Sequence, residues 1–195
     1  MKSVAAQIID AISDENVLSI ELLFSRNPEL LNQHTMMAGQ TWLGHAASSG
    51  KLLAVKKLIE LGADPNIGDR WDGSKSLCSA GHSGNPEIVR CLLEHGAEID
   101  TDASVRNPLF ASIVGRSPEC VRVILSAGID AAVRYNSATM DDMDAMAFAL
   151  MRGERECAEI IAQSNAKGDE AAAAKALAGA DEIAERNAHA ERPCP

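Results

Sequence analysis

Asp141, Asp142 and Asp144 put three carboxylates within four residues. A carboxylate pair works as general acid and base only where a pocket drives the two pKa values apart. Here the three fall in what reads as a loop insertion, so a solvated acidic loop is the simpler expectation. The five histidines, His34, His45, His82, His95 and His189, show no metal-binding spacing with Cys, Asp or Glu, and no His-Glu-x-x-His occurs. Neither a metal site nor a cofactor is expected. Gly44 to Lys51 resembles a phosphate loop only in outline, because five residues separate Gly44 from Gly50 and Leu52 stands where Ser or Thr is required. Gly81-His-Ser-Gly84 has too few glycines for a dinucleotide loop. The five cysteines, Cys78, Cys91, Cys120, Cys157 and Cys194, include no close pair and suit reduced thiols better than a disulfide scaffold. The first four have apolar neighbours and read as small buried hydrophobes. Cys194, near the end, reads as the accessible one.

Any site needs a frame, and composition limits what that frame can be. The 195 residues are 46% hydrophobic, with six aromatic residues against thirty-two alanines, so the core is built from small and aliphatic side chains rather than as an aromatic-rich β-sandwich. The formal net charge of -10 argues against binding a phosphate backbone, where affinity comes from counterions released to clustered Lys and Arg. The same charge would draw a basic protein partner. No apolar run approaches the eighteen or so residues of a membrane helix, and residues 1–10 carry no signal-peptide core. A soluble, cytoplasmic protein is the expectation.

Self-similarity organises the chain. Gly39-Gln-Thr-Trp-Leu-Gly-His-Ala46 aligns with Gly73-Ser-Lys-Ser-Leu-Cys-Ser-Ala80 at an offset of 34, which also carries Gly50 onto Gly84, Leu58-Ile59 onto Leu92-Leu93 and Gly62-Ala63-Asp64 onto Gly96-Ala97-Glu98. A further copy follows at an offset of 32, with Pro108-Leu109 on Ser76-Leu77 and Ala127-Gly128-Ile129-Asp130 on His95-Gly96-Ala97-Glu98. In the second unit Thr41 can cap a first helix that Gly50 stops. Val55, Leu58, Ile59 and Leu61 then recur at three- and four-residue steps along a second helix that Gly62 stops. Helices this short are marginal alone and must stack.

These residues resemble ankyrin repeats. Thr41-Trp-Leu-Gly-His-Ala-Ala stands where that family has Thr-Pro-Leu-His-x-Ala-Ala, and Leu61-Gly-Ala-Asp-Pro-Asn66 and His95-Gly-Ala-Glu-Ile-Asp100 match its closing Gly-Ala-Asp-Val-Asn. The resemblance implies an all-α solenoid of stacked helix-turn-helix units with projecting β-turn fingers. It spans residues 1–166 in five units, at about 3–32, 38–67, 72–101, 105–131 and 142–163, the outer two degenerate. In the first, Asn16 is expected at the inter-helix glycine position. The signature histidine, which clamps neighbouring turns in the family, is replaced by Gly44, Cys78, Phe110 and Ala147, so weak clamping between units is expected. Residues 167–195 read as an Ala-rich helix over about 169–178, interrupted by Gly179, and then a frayed tail.

By the same resemblance the chain is a non-enzymatic protein-binding module. Two surfaces carry the contact candidates. One is the finger Asn66-Ile-Gly-Asp-Arg-Trp-Asp-Gly73, where Asp69, Arg70, Trp71, Asp72 and Ser74 surround an unburied tryptophan. The alternative is Trp71 folded against its own turn or a neighbouring finger. The other surface is the concave face of the first helices, carried by Ser48, Ser49, His82, Ser83, Val114, Gly115, Met151 and Arg152. An insertion, Val133-Arg-Tyr-Asn-Ser-Ala-Thr-Met-Asp-Asp-Met-Asp144, adds Tyr135, Met140, Asp141 and Asp142, with linker disorder as its alternative reading. The composition and short array look bacterial and resemble small acidic immunity or antitoxin proteins that block basic toxins. A scaffold or chaperone for assembly or secretion, and an enzyme using the loop carboxylates, are the other two readings.

Overall fold

The computed structural model describes residues 2–35, 39–137 and 139–190. Five helix pairs follow one another: α1 Val4–Ser13 with α2 Val17–Arg26, α3 Trp42–Ser48 with α4 Leu52–Glu60, α5 Ser76–Ser83 with α6 Pro86–Glu94, α7 Pro108–Val114 with α8 Pro118–Ser126, and α9 Ala145–Met151 with α10 Arg155–Ala166. A last helix, α11, runs over Glu170–Ala190. Among the described residues the only β pairing is two isolated antiparallel bridges, His34 with Thr41 and Tyr135 with Met143.

The helix ends follow from local chemistry. Side chains of Ser3, Asn16, Thr41, Asn85, Asn107, Ser117 and Asp144 each accept a backbone N–H of the first turn, and Pro86, Pro108 and Pro118 open three helices with a preset φ. Between the helices of a pair the chain turns through one left-handed residue, Gly50 with φ 67° in the second pair. In the first pair that residue is Glu15 at φ 51°, not Asn16 as the alignment suggested. Asn16 is displaced by one because its side chain is needed to cap α2, accepting from Ser19 N at 3.0 Å.

Each element packs on its immediate neighbours. The first helices stack as α3, α5, α7 and α9, the second as α2, α4, α6, α8 and α10, and α11 closes the series against both α9 and α10. Leu43 and Leu58, Leu77, Ile88 and Leu92, then Leu109, Ile113 and Ile124 are fully buried between the rows. Cys78, Cys91, Cys120 and Cys157 are buried free thiols, as expected, while Cys194 lies outside the described residues.

Two expectations are corrected. The C-terminal helix does not stop at Gly179 but continues to Ala190. Beyond Gly179 it still presents Ala180, Ala184 and Asn187 to the last pair, all buried, and that burial outweighs the roughly 1 kcal/mol cost of an internal glycine. Clamping between units is not weak either. Asn32 accepts from Asp64 N at 2.9 Å, and Asn66, thirty-four residues on, accepts from Glu98 N at 2.8 Å while donating to Gly96 O at 2.9 Å. His34 reaches Gly68 O, Ser74 Oγ donates to Val105 O and Tyr135 Oη donates to Thr101 O. Asparagine and hydroxyl side chains in the fingers thus do what the missing histidines would have done within the helices.

Candidate functional site

The fingers and the first helices enclose an open groove of about 510 Å³ on the concave side. Asp69, Asp72, Ser74, Ser104 and Val105 form its finger wall, and Ser48, Ser79, His82, Ala111 and Val114 its helix wall. At one end Met140 and Phe148 close it over Phe110, with the two phenyl rings stacked 4.7 Å apart. No lysine or arginine lines it.

The finger wall is shaped by its own aspartates. One oxygen of Asp69 accepts the backbone N–H groups of Trp71, Asp72 and Gly73 at 2.9, 3.0 and 3.1 Å, and Asp72 accepts from Ser74 N at 2.9 Å. The turn is therefore built around the carboxylates at the rim. Two nearby cations are engaged by other carboxylates: Lys75 pairs with Glu98 at 2.8 Å, and Arg106 with Asp100 at 3.4 Å and Asp102 at 3.6 Å. Buried Cys78, which donates to Arg106 O, records this environment. Its thiol is pushed up to about 12, first by burial, then by Asp100, Asp72 and Asp69, with Lys75 opposing.

Of the residues singled out in the sequence, Asp69, Asp72, Ser74, Ser48, His82, Val114 and Met140 meet in this groove. The others stand apart from it. Arg70 and Trp71 occupy the outside of the finger, joined to the preceding finger by Arg70 N donating to Gly39 O at 3.0 Å. The Trp71 indole lies over Gly39, where a β-carbon would collide with it, yet the residue stays 78% exposed. The indole thus packs on a neighbouring finger, as the alternative sequence reading had it, while most of its surface stays open. Ser49 ends α3 in solvent, and Ser83 Oγ donates back to Ala80 O within its own helix. Met151 is half-buried, and the Arg152 guanidinium lies 5.7 Å from the Phe148 ring centre.

The described residues of the inserted loop are tied down by hydrogen bonds and ion pairs rather than forming a loose linker. Tyr135 turns inward instead of facing a partner: its hydroxyl donates to Thr101 O at 2.7 Å and accepts from Asn107 Nδ2 at 3.0 Å, and its ring meets Phe110 edge-on at 5.2 Å. Burial raises its phenol pKa. Arg134 pairs with Asp142 at 2.7 Å and with Asp144 at 2.9 Å. Asp144 is buried and caps α9, accepting from Ala147 N. Asp141 is held from α11, its carboxylate by Arg186 at 3.3 Å and its backbone N–H and C=O by the buried Asn187 amide at 2.7 and 3.0 Å. All three aspartates are engaged by cationic side chains, Asp142 and Asp144 by the same Arg134 and Asp141 by Arg186. Among the described residues no group of His, Cys, Asp and Glu could hold a metal ion.

The sequence reading missed Ser79, Ala111 and Phe148 because it took the two residues before each inter-helix turn. Counted from the caps, the groove is lined by the fourth and seventh positions after Lys75 and Asn107, Ser79 with His82 and Ala111 with Val114, by the seventh after Thr41, Ser48, and by the fourth after Asp144, Phe148. Positions three apart share a helix face, whereas adjacent ones do not, and that spacing was the available signal.

The family model "Ankyrin repeats (3 copies)" matches residues 43–135 and 77–172. The ankyrin repeat domain-containing protein SAT10 of Stachybotrys chartarum is 30% identical over 139 residues, covering 71% of this chain and 7% of that protein. The putative E3 ubiquitin-protein ligase XBAT31 of Arabidopsis thaliana is 31% identical over 125 residues, covering 57% and 26%. The ankyrin repeat and KH domain-containing protein mask-1 of Caenorhabditis elegans is 26% identical over 174 residues, covering 75% and 6%. The chain spans about a quarter or less of the length of each of these relatives. Ankyrin repeats generally act as protein–protein interaction modules, and no helix among the described residues is long and apolar enough to cross a membrane. From the repeat motifs, the stacked helix pairs and the match across 43–172, this chain belongs to the ankyrin-repeat family.

Proposed function

We propose that this chain is a non-enzymatic binding module that holds a partner protein in the concave groove, with the adjoining fingers as flanking contacts. The observation that carries this reading is the groove itself, an open cleft of about 510 Å³ whose apolar end meets an acidic rim and whose lining holds no lysine or arginine. Such a surface gives an apolar anchor and a charge to steer by. The pairing of Asp141 with Arg186 and of Asp142 and Asp144 with Arg134 supports a non-catalytic role. The test is capture of partners from the native host on the full chain beside a Val114→Arg variant, followed by mass spectrometry. A protein retained by the natural sequence and lost from the variant supports the reading. Retention by both removes the groove from it.

The finer proposal is neutralisation of a basic toxin by an acidic immunity or antitoxin protein. It rests on the net charge of -10, which accelerates association with a cationic cleft. Co-expression with a toxin encoded beside it should rescue growth. Equal killing with and without this chain would exclude that role.

A further inference from the structure

We propose that the groove selects a partner segment in which a Lys or Arg side chain lies close to a bulky apolar one, the cation meeting Asp69 and Asp72 and the apolar group seating against Met140, Val114 and Phe148. This rests on the groove being the protein-binding surface and adds what chemistry it takes.

The two halves of the groove make different demands. Phe148 is half-buried and stacked on Phe110, and beside it Met140 and Val114 are also half-buried, so an apolar side chain placed there removes water from both partners. Met140 adapts its shape to what arrives. At the rim, Asp69 and Asp72 accept backbone N–H groups, no lysine or arginine lines the groove beside them, and Lys75 and Arg106 are paired with Glu98, Asp100 and Asp102. Charge complementarity therefore has to come from the occupant. An acidic peptide or a nucleic acid backbone would meet repulsion at this rim.

The geometry of the finger makes the charge removable without breaking the turn. Asn at either position keeps the side-chain oxygen that accepts the backbone N–H groups. Random linear peptides displayed on phage are selected on the immobilised full-length chain, and enriched sequences are remade as labelled peptides for anisotropy titration. The expected result is enrichment of peptides carrying Lys or Arg within a few residues of Leu, Met, Phe or Trp. Asp69→Asn/Asp72→Asn should weaken their binding about fivefold or more, at unchanged helical circular dichroism. Phe148→Ala should weaken it about tenfold. Peptides lacking a basic residue, or affinities indifferent to the double Asn variant while still sensitive to Phe148→Ala, would overturn the inference and leave the groove as a protein-binding surface. Peptides that bind equally to Val114→Arg and Phe148→Ala would remove the groove reading as well. Failure to enrich any peptide would overturn selection of a linear segment, whatever whole proteins the chain captures.

Discussion

Gly81 and Gly115 touch backbone to backbone. The carbonyl of Gly81 occupies the space that a β-carbon on Gly115 would need, and a β-carbon on Gly81 would press within 2.8 Å of the buried Ser112 hydroxyl. Helices α5 and α7 approach this closely because neither residue has a side chain, and the shared concave wall depends on that approach.

Gly115→Ala should therefore destabilise the chain by about 1–3 kcal/mol, through overpacking between two rigid backbones. Gly179→Ala, in α11 where nothing lies within 4 Å of an added β-carbon, should instead stabilise by about 1 kcal/mol. Urea titrations followed by circular dichroism would show midpoints moving in opposite directions.

Asn66→Ala removes two hydrogen bonds to the next finger, from Glu98 N and to Gly96 O, whereas Asn32→Ala removes one, from Asp64 N. At about 1 kcal/mol for each bond, the first substitution should cost about twice the second. Hydrogen exchange at the amide of Glu98 should rise only in the first.

His45 sits half-buried in α3, and burial lowers its pKa below the ordinary value of 6.5. The unfolded chain, with its histidine near the ordinary value, takes up a proton that the folded chain refuses, so stability falls as pH drops below about 6.5 and is fully present above it. His45→Gln should flatten that part of the profile. Urea midpoints measured at about pH 7.5 and pH 5.5 would show it.

Burial pushes the Cys78 thiol up to about 12 and the Cys157 thiol to about 11, and raises Cys91 and Cys120 as well. Almost no thiolate is present at neutral pH, and the sulfurs are covered, so all four should resist a thiol-specific reagent until the chain unfolds. Peptide mapping after brief labelling, with and without guanidinium, would check each site.

The helix pairs were legible because their signals are local: a capping side chain, an apolar stripe, and a glycine where the chain must turn left-handed. What the sequence hid depends on residues far apart. Tyr135 reads as a loop aromatic until Thr101 and Asn107, thirty-four and twenty-eight residues earlier, are seen to take its hydroxyl. The same distance conceals the hold of Asn187 on Asp141, which carries α11 past a glycine that would otherwise end it. The candidate wall was half legible. His82 and Ser48 were found, while Phe148 was missed because the alignment marked positions by neighbourhood to a turn, where helical geometry selects by spacing along a face. Clamping was misjudged because a lost histidine was visible, and its asparagine replacements lie in the fingers, a separate part of each unit.

The chain's two tryptophans sit in opposite environments. Trp42 is 4% exposed and edge-on to Phe24, whereas the indole of Trp71 rests on Gly39 with most of its surface in water. Their fluorescence is consequently a built-in two-channel readout. A blue shift of the solvent-facing emitter reports an arriving macromolecule at the finger, and a red shift of the enclosed one reports the first two helix pairs coming apart.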